Sequence, residues 1–149
     1  MQYRKKYEDE KIENDSELHN NIGQPVMYGQ AIHLKHLYSN CYLTYNPNQL
    51  ATQYGCVALS LEEEGSEHSN FKFLASGNLK TREDVVQYSD LINLCSYRGM
   101  YFMHVFDEYN NSNSPETGLE VNGSESSSNW KLLRFMSHEE VEEFGKNNQ

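Results

Sequence analysis

The stretch "SNFKFL" at Ser69–Leu74 returns near the end of the chain as "SNWKLL" at Ser128–Leu133. The segments that precede the two copies also match, since "YGQAIHLKH" begins at Tyr28 and "YSDLINLCS" begins sixty residues later at Tyr88. Three positions coincide in these segments: Tyr28/Tyr88, Ile32/Ile92 and Leu34/Leu94. Elements repeated in a fixed order are typical of repeat proteins, in which each unit supplies one share of a common core. The sequence therefore predicts two homologous units that share a single apolar interior.

Each unit also contains an alternating apolar run between its first segment and its aromatic segment. These runs are "VALSL" at Val57–Leu61 and "GLEV" at Gly118–Val121, the second of them two residues out of register. Alternation with period two favours half-buried β-strands, and clusters of Asn, Ser, Gly and Pro separate the runs as turns do. We expect an all-β domain of short antiparallel strands, with Phe71, Phe73 and Trp130 in its core.

The composition argues against several kinds of partner. The 149-residue chain has a formal net charge of -10, whereas nucleic acids and anionic membranes select for clustered Lys and Arg. The sequence contains no run of eighteen apolar residues, so we expect neither nucleic-acid binding nor direct membrane insertion. The cysteines Cys41, Cys56 and Cys95 show no C-x-x-C spacing, and no apolar leader follows Met1. These features indicate a reducing, cytosolic environment.

Changes in composition divide the chain into three parts. Residues 1–22 carry many charges and few large apolar side chains, which predicts a charged helical or disordered arm. The sequence "IGQP" at Ile22–Pro25 is expected to end that arm, because Gly and Pro break helices. Residues 23–137 form the predicted all-β domain. The tail "SHEEVEEF" at Ser137–Phe144 begins with a capping-box pattern, so residues 138–149 are predicted to form a short helix and tail.

Two groups of side chains resemble metal ligands at first sight. His33 and His36 are three residues apart, and on a strand such residues point to opposite faces, so they do not chelate one ion. We expect one buried, hydrogen-bonded histidine and one exposed histidine. The acidic residues Glu62–Glu64, Asp107 and Glu108 lack the D-x-D-x-D-G loop of a calcium site. A solvated acidic turn is the simpler interpretation, and no metal is predicted.

The sequence contains no recognisable catalytic constellation. Cys95 has no adjacent His or basic residue that would lower its pKa, so we interpret it as a structural thiol. Neither a G-x-S-x-G elbow nor a G-x-x-x-x-G-K loop is present. The cationic residues have the density of an ordinary surface and predict no phosphate site: Arg4, Lys5, Lys6, Lys80, Arg82, Lys131 and Arg134. We therefore predict a protein that is not an enzyme, with no catalytic, cofactor-binding or metal-binding residue.

The segment "PVMYGQAIHLKHLYSNCYLTYN" at Pro25–Asn46 resembles the strand that opens the MIR-type region of inositol trisphosphate receptors and ryanodine receptors. The segments "VALSLEEEGSEHSNFKF" at Val57–Phe73 and "SNWKLLRFM" at Ser128–Met136 resemble the later strands of the same region, and the resemblance covers about residues 23–137. The signature positions are Tyr28, Gly29, Ile32, Leu34, His36, Ser39, Tyr42 and Leu43.

The resemblance implies a β-trefoil from the N-terminal, suppressor-like domain of an intracellular ligand-gated calcium-release channel. Such a domain modulates ligand binding and gating through domain and subunit contacts, on the cytoplasmic face of the endoplasmic reticulum. It does not itself hold inositol trisphosphate, so no ligand contact is expected from this segment alone. The arm before Gly23 resembles the end of a helical insertion in the family. A different interpretation is a stand-alone MIR or β-trefoil protein that binds a carbohydrate or a partner protein.

A β-trefoil closes from three similar units, and the sequence shows two. Residues 1–22 have no strand-strand-turn pattern that would make them the first unit. Two units alone would leave strand edges unpaired. Three explanations remain open at this stage: the chain is a piece of a longer product, another chain completes the barrel, or the two units pack in a modified sandwich.

Overall fold

A computed structural model describes residues 22–77, 80, 83–107 and 118–135, together with seven isolated positions (5, 8, 9, 12, 13, 16 and 20). Residues 138–149 lie outside the described residues, and the seven positions within residues 1–22 are too scattered to test the predicted arm. Both terminal elements therefore stay predictions. The described strands are β1 (Lys35–His36), β2 (Cys41–Leu50), β3 (Val57–Glu62), β4 (Phe71–Ala75), β5 (Leu91–Ser96), β6 (Phe102–Asp107), β7 (Leu119–Ser124) and β8 (Trp130–Lys131), with one short 3-10 helix at Glu67–Ser69.

The strands form one antiparallel sheet within the described part of the chain. The strand order is β1-β2-β3-β7-β6-β5-β4, and β8 pairs with β5 beside this path. The sheet curls until its two ends meet, because Ile32, just before β1, bridges Phe71 at the start of β4. The Ile32 N–H donates to the Phe71 carbonyl at 2.8 Å, and the Phe71 N–H donates to the Ile32 carbonyl at 2.9 Å. The predicted all-β fold is confirmed, and its form is a partial β-trefoil.

The two units repeat each other in their strand pairing as well as in sequence. The bridge between Ile32 and Phe71 in the first unit recurs as the pairing of Ile92 with Trp130 in the second. The hairpin of β2 with β3 likewise recurs as the hairpin of β6 with β7. Since "SNFKFL" contains Phe71 and "SNWKLL" contains Trp130, the similar sequences occupy equivalent places in the fold.

The turn that opens each unit is repeated to the level of single hydrogen bonds. Gly29 has a positive φ of 76°, and its counterpart Ser89 has a φ of 71°. The Gly29 N–H donates to the Phe73 carbonyl at 2.9 Å, and the Ser89 N–H donates to the Leu132 carbonyl at 2.6 Å. A positive φ is unusual for serine, so its presence at the place of Gly29 shows that the turn geometry itself is shared.

One apolar core contains residues from both units, as the sequence predicts. Ile92 and Leu94 from the second unit are buried beside residues of the first, and their counterparts Ile32 and Leu34 pack against this cluster. Trp130 also lies against the core and is partly buried. The fully buried members of the cluster are Tyr28, Tyr45, Phe71, Phe73, Ile92 and Leu94.

Gly123 lies where the hairpins of the two units meet, and its neighbours leave no space for a side chain. Its neighbour across the β3–β7 pairing is Val57, and a Cβ added at Gly123 would lie 2.7 Å from Val57 Cγ2. We expect Gly123→Ala to lower the free energy of unfolding by about 1 to 3 kcal/mol, because overpacking displaces neighbouring atoms. Urea denaturation measures the difference. Gly118→Ala is the matched control, since nothing lies within 4 Å of the added Cβ there; equal stability of the two variants would contradict the prediction.

Candidate interaction surface

Within the described residues, the edge of the first unit at Ala31 and His33 has no partner strand. In the second unit, the Leu91 carbonyl accepts from the Ser76 N–H at 3.2 Å, and Asn93 is the register partner of a residue in β4. The corresponding residues of the first unit are Ala31 and His33, which are exposed. Neither makes a backbone hydrogen bond to any residue that the structure describes. This edge therefore presents backbone donors and acceptors of the kind that pair with a further strand.

Exposed apolar side chains also occur in the second unit. Leu133 and Phe135 follow β8 and are exposed, as is Tyr88 before β5. The Leu133 backbone has no hydrogen-bonding partner among the described residues. We call the set Ala31, His33, Tyr88, Leu133 and Phe135 the open-edge surface. Its apolar and backbone groups are suited to docking a partner rather than to facing water.

An apolar groove runs along this side of the molecule. Its volume is about 440 Å³. Val26 of the first unit lines it together with Val86, Tyr88 and Leu132 of the second, and the core residue Phe73 forms part of its wall. The groove therefore connects the two units at the place where Tyr88 is exposed.

Tyr28 shows how one unit is attached to the next. Its hydroxyl donates to Asp90 Oδ2 at 2.7 Å, and Lys80 Nζ donates to the same oxygen at 2.9 Å. Asp90 also accepts from the Gln87 N–H at 3.0 Å, as Gln30 accepts from its own turn in the first unit. The hydrogen bonds from Lys80 and Tyr28 lower the pKa of Asp90 to about 2. Burial, together with the Asp90 carboxylate, raises the pKa of Tyr28 to about 12.

Tyr88 has the position of Tyr28 in the repeat but a different environment. Only 3% of Tyr28 is exposed, whereas 70% of Tyr88 is exposed. The equivalence read from the sequence therefore holds for the backbone, whereas the two side chains differ in burial. The physical reason is that Tyr28 reaches from the first unit onto the second, and the described residues contain no third unit for Tyr88 to reach.

The Tyr28–Asp90–Lys80 network makes the free energy of unfolding decrease at low pH. The pKa of Asp90 is about 2 in the folded protein and about 3.9 in an unfolded chain. Its contribution is therefore complete above about pH 4 and is lost as the pH falls from about 4 to 2. We expect Asp90→Asn to flatten the pH dependence of the melting temperature in this window, and Lys80→Met to move the loss toward pH 4. If the melting temperature of Asp90→Asn fell between about pH 4 and 2 as steeply as that of the parent chain, the assignment of this pH dependence to Asp90 would be wrong.

The second groove of the molecule is acidic. Glu62–Glu64 line it together with Thr44, Asn46 and His68, and the three glutamates are exposed. Glu62–Glu64 are exposed as the predicted solvated acidic turn requires, whereas Asp107 is half-buried at the end of β6 and Glu108 lies outside the described residues. Within the described part of the chain, no group of three or more His, Cys, Asp or Glu side chains is placed to hold a metal ion.

The prediction for the two histidines is partly wrong. Both His33 and His36 are exposed, although one was expected to be buried. His33 Nε2 lies 2.6 Å from Asn70 Oδ1, and His36 Nδ1 lies 2.8 Å from Ser39 Oγ. His36 is not buried because β1 ends at this residue and the chain turns back into β2 beyond the core.

The surroundings of Cys95 and Lys80, two of the remaining candidate residues, indicate structural roles. Cys95 is buried, and this burial raises the pKa of its thiol, as expected for a structural cysteine. Lys80, one of the scattered cations, forms the ion pair with Asp90. Arg4, Lys6 and Arg82 lie outside the described residues. No helix in the described part of the chain is long and apolar enough to cross a bilayer.

A family model described as inositol 1,4,5-trisphosphate/ryanodine receptor matches residues 2–141. This span contains both repeated units and nearly the whole chain, and it agrees with the resemblance to the MIR-type N-terminal region. The family is one of receptors rather than enzymes. The partial trefoil and the matched span lead to the same conclusion: the chain belongs to the inositol 1,4,5-trisphosphate/ryanodine receptor family.

Proposed function

We propose that this chain is a non-enzymatic regulatory and interaction module of an intracellular calcium-release channel of the inositol trisphosphate receptor kind. It lies on the cytoplasmic face of the endoplasmic reticulum and modulates ligand binding and gating through contacts with other domains or subunits of the channel. The observation that carries the proposal is the family match over residues 2–141.

The surface of the described residues supports a function based on contact. The open-edge surface combines exposed apolar side chains with unused backbone groups, and such patches mark sites of protein association.

The charges of the molecule support partners other than polyanions. A site for inositol trisphosphate needs several cationic side chains that converge on the phosphates. Lys80 is instead held by Asp90 at 2.9 Å, and the whole chain carries a net charge of -10. In this proposal the module has no direct contact with the ligand and acts through neighbouring protein surfaces.

Calcium release from the store tests the proposal. The full channel would carry the double substitution Tyr88→Ser and Leu133→Ser, in cells whose own copy of the parent gene is deleted. We expect the agonist concentration for half-maximal release to change by about fivefold or more, the usual size of an allosteric coupling. Tyr54→Ser is the control, because Tyr54 is fully exposed and lies in the turn after β2. If deletion of the parent gene left store release unchanged, the channel assignment would be wrong.

A further inference from the structure

The sequence contains one Asn–Gly pair, at Asn122–Gly123 in β7. Asparagine is thermolabile, and before glycine it is most so, because glycine has no side chain to hinder attack by its backbone nitrogen on the asparagine side chain. We propose that Asn122 is a site of spontaneous deamidation that the folded sheet protects, and that opening of β7 leads to products which do not fit back into the sheet. This inference is independent of the channel role, since it concerns the chemistry of the chain itself.

Deamidation at this pair needs only water as a reactant. The Gly123 backbone nitrogen loses its proton and bonds to Asn122 Cγ, and the Cγ–Nδ2 bond breaks as ammonia leaves with that proton. Water then hydrolyses the resulting five-membered succinimide ring at one of its two carbonyl groups. Hydrolysis at Cγ gives aspartate, and hydrolysis at the backbone carbonyl gives isoaspartate, in which the main chain runs through the side-chain carbon.

Strand pairing opposes this ring closure in the folded chain. β7 lies between two neighbours, because Asn122 is the register partner of Ala58 in β3 and of His104 in β6. To form the ring, the Gly123 nitrogen must approach Asn122 Cγ, and the backbone must rotate out of the extended conformation of a strand. Such a rotation disrupts the ladder on both sides. The reaction therefore waits until β7 leaves the sheet.

The Asn122 side chain is held as firmly as its backbone. Asn122 is 0% exposed, and its Nδ2 donates to Gln53 Oε1 and to Glu120 Oε1, each at 2.9 Å. This nitrogen is the leaving group, so both hydrogen bonds must break before it departs as ammonia. Asn122 Oδ1 accepts no hydrogen bond from the described residues, so no donor among them polarises the carbonyl toward attack.

An aspartate at position 122 does not suit these surroundings. A carboxylate accepts hydrogen bonds and does not donate them, yet it would face the two oxygens that now accept from Asn122. Burial alone would raise the pKa of Glu120, but the hydrogen bonds from Asn122, Thr52 and Gln53 lower it to about 2. Two ionised carboxylates would therefore meet where the sheet is buried, which is strongly unfavourable.

An isoaspartate at position 122 does not fit either. It adds one carbon atom to the main chain before Gly123 and so displaces the strand that follows. Gly123 has no space to move, since a Cβ there would lie 2.7 Å from Val57 Cγ2. Both products therefore keep β7 out of the sheet, and a chain that has opened and deamidated at this place does not return to the native state.

Peptide mapping by mass spectrometry on the full 149-residue chain tests the protection. We expect deamidation at Asn122 under mildly alkaline conditions to be at least about a hundredfold slower without urea than in concentrated urea, which corresponds to an opening free energy of about 2.8 kcal/mol. Tyr54→Asn is the matched control, because it places a second Asn–Gly pair at Gly55 in a turn where Tyr54 is fully exposed. Urea should accelerate the reaction at position 54 by less than about tenfold. Similar rates at Asn122 with and without urea would overturn the inference.

Asn122→Asp tests the product directly, since it carries the aspartate from the start. Asn129→Asp is its matched control, because Asn129 is exposed and its Oδ1 accepts from Ser76 and Asn93, which a carboxylate can also do. After dilution from urea, we expect size-exclusion chromatography to recover at least about tenfold less folded monomer from Asn122→Asp than from Asn129→Asp. Equal recovery of the two variants would also overturn the inference, because the deamidated chain would then fold normally.

Discussion

Phe71→Ala lowers the free energy of unfolding by about 3 to 5 kcal/mol. The Phe71 side chain is 2% exposed and lies edge-on to the Tyr45 ring at 6.0 Å between centroids. Truncation removes its apolar contacts and leaves a cavity between the two units, because the sheet that closes through Ile32 cannot collapse freely. Since domains of this size are stable by about 5 to 15 kcal/mol, this loss is a large share of the total, and the urea concentration at the midpoint of unfolding should fall clearly.

Phe135→Ala is the matched control for this substitution. The residue type is the same, but Phe135 is 75% exposed, and surface substitutions usually change stability by less than about 0.5 kcal/mol. Similar losses in the two variants would show that Phe71 is not the core residue that its burial indicates.

Trp130→Ala is expected to have the second largest effect, near the lower end of about 3 to 5 kcal/mol. Trp130 occupies the place of Phe71 in the second unit but is only partly buried, so truncation exposes less new apolar surface. Its Nε1–H donates to the Met103 carbonyl at 3.0 Å, and this carbonyl would lose its partner. The thermal unfolding midpoint measures the loss, and an unchanged midpoint would remove Trp130 from the core.

Trp130→Phe separates the two contributions of this side chain. The phenyl ring retains most of the apolar contacts and lacks the N–H donor. We expect a loss of about 1 kcal/mol, the usual net value of one hydrogen bond. A loss as large as that of Trp130→Ala would mean that the bond to Met103, which both variants lack, rather than the apolar contacts, determines the stability at this position.

The repeat in the sequence was sufficient to predict the core but not every side chain in it. Ile32, Leu34, Ile92 and Leu94 share one interior because the alternation of apolar residues directly reflects which face of a strand is buried. The burial of Tyr88 depends instead on the unit beside it, and a local pattern contains no information about that neighbour. The repeat therefore predicted the backbone position of Tyr88 and made no statement about its exposure.

For the open-edge surface, the sequence likewise predicted one property and missed another. The count of two units predicted that strand edges would be unpaired, yet Ala31 and His33 were not identified as the residues concerned. Their exposure follows from the register, since neighbouring residues of a strand direct their backbone groups to opposite edges. The repeat alone does not give these edges, but once the structure shows the pairing of Leu91 and Asn93, the sixty-residue offset indicates Ala31 and His33.

The strand order has a consequence for how the newly made chain reaches its native state. Val57 pairs with Gly123, and Ile92 pairs with Trp130, so the contacts that join the hairpins into one sheet link residues that are far apart in sequence. Topologies dominated by such contacts fold slowly, over milliseconds to seconds. In a nascent chain on the ribosome the hairpin of β2 with β3 can form early, but the pairing of Val57 waits until Gly123 has emerged, and aggregation competes with folding during that delay. Soluble yield during recombinant expression should therefore depend strongly on the rate of synthesis and on the supply of chaperones.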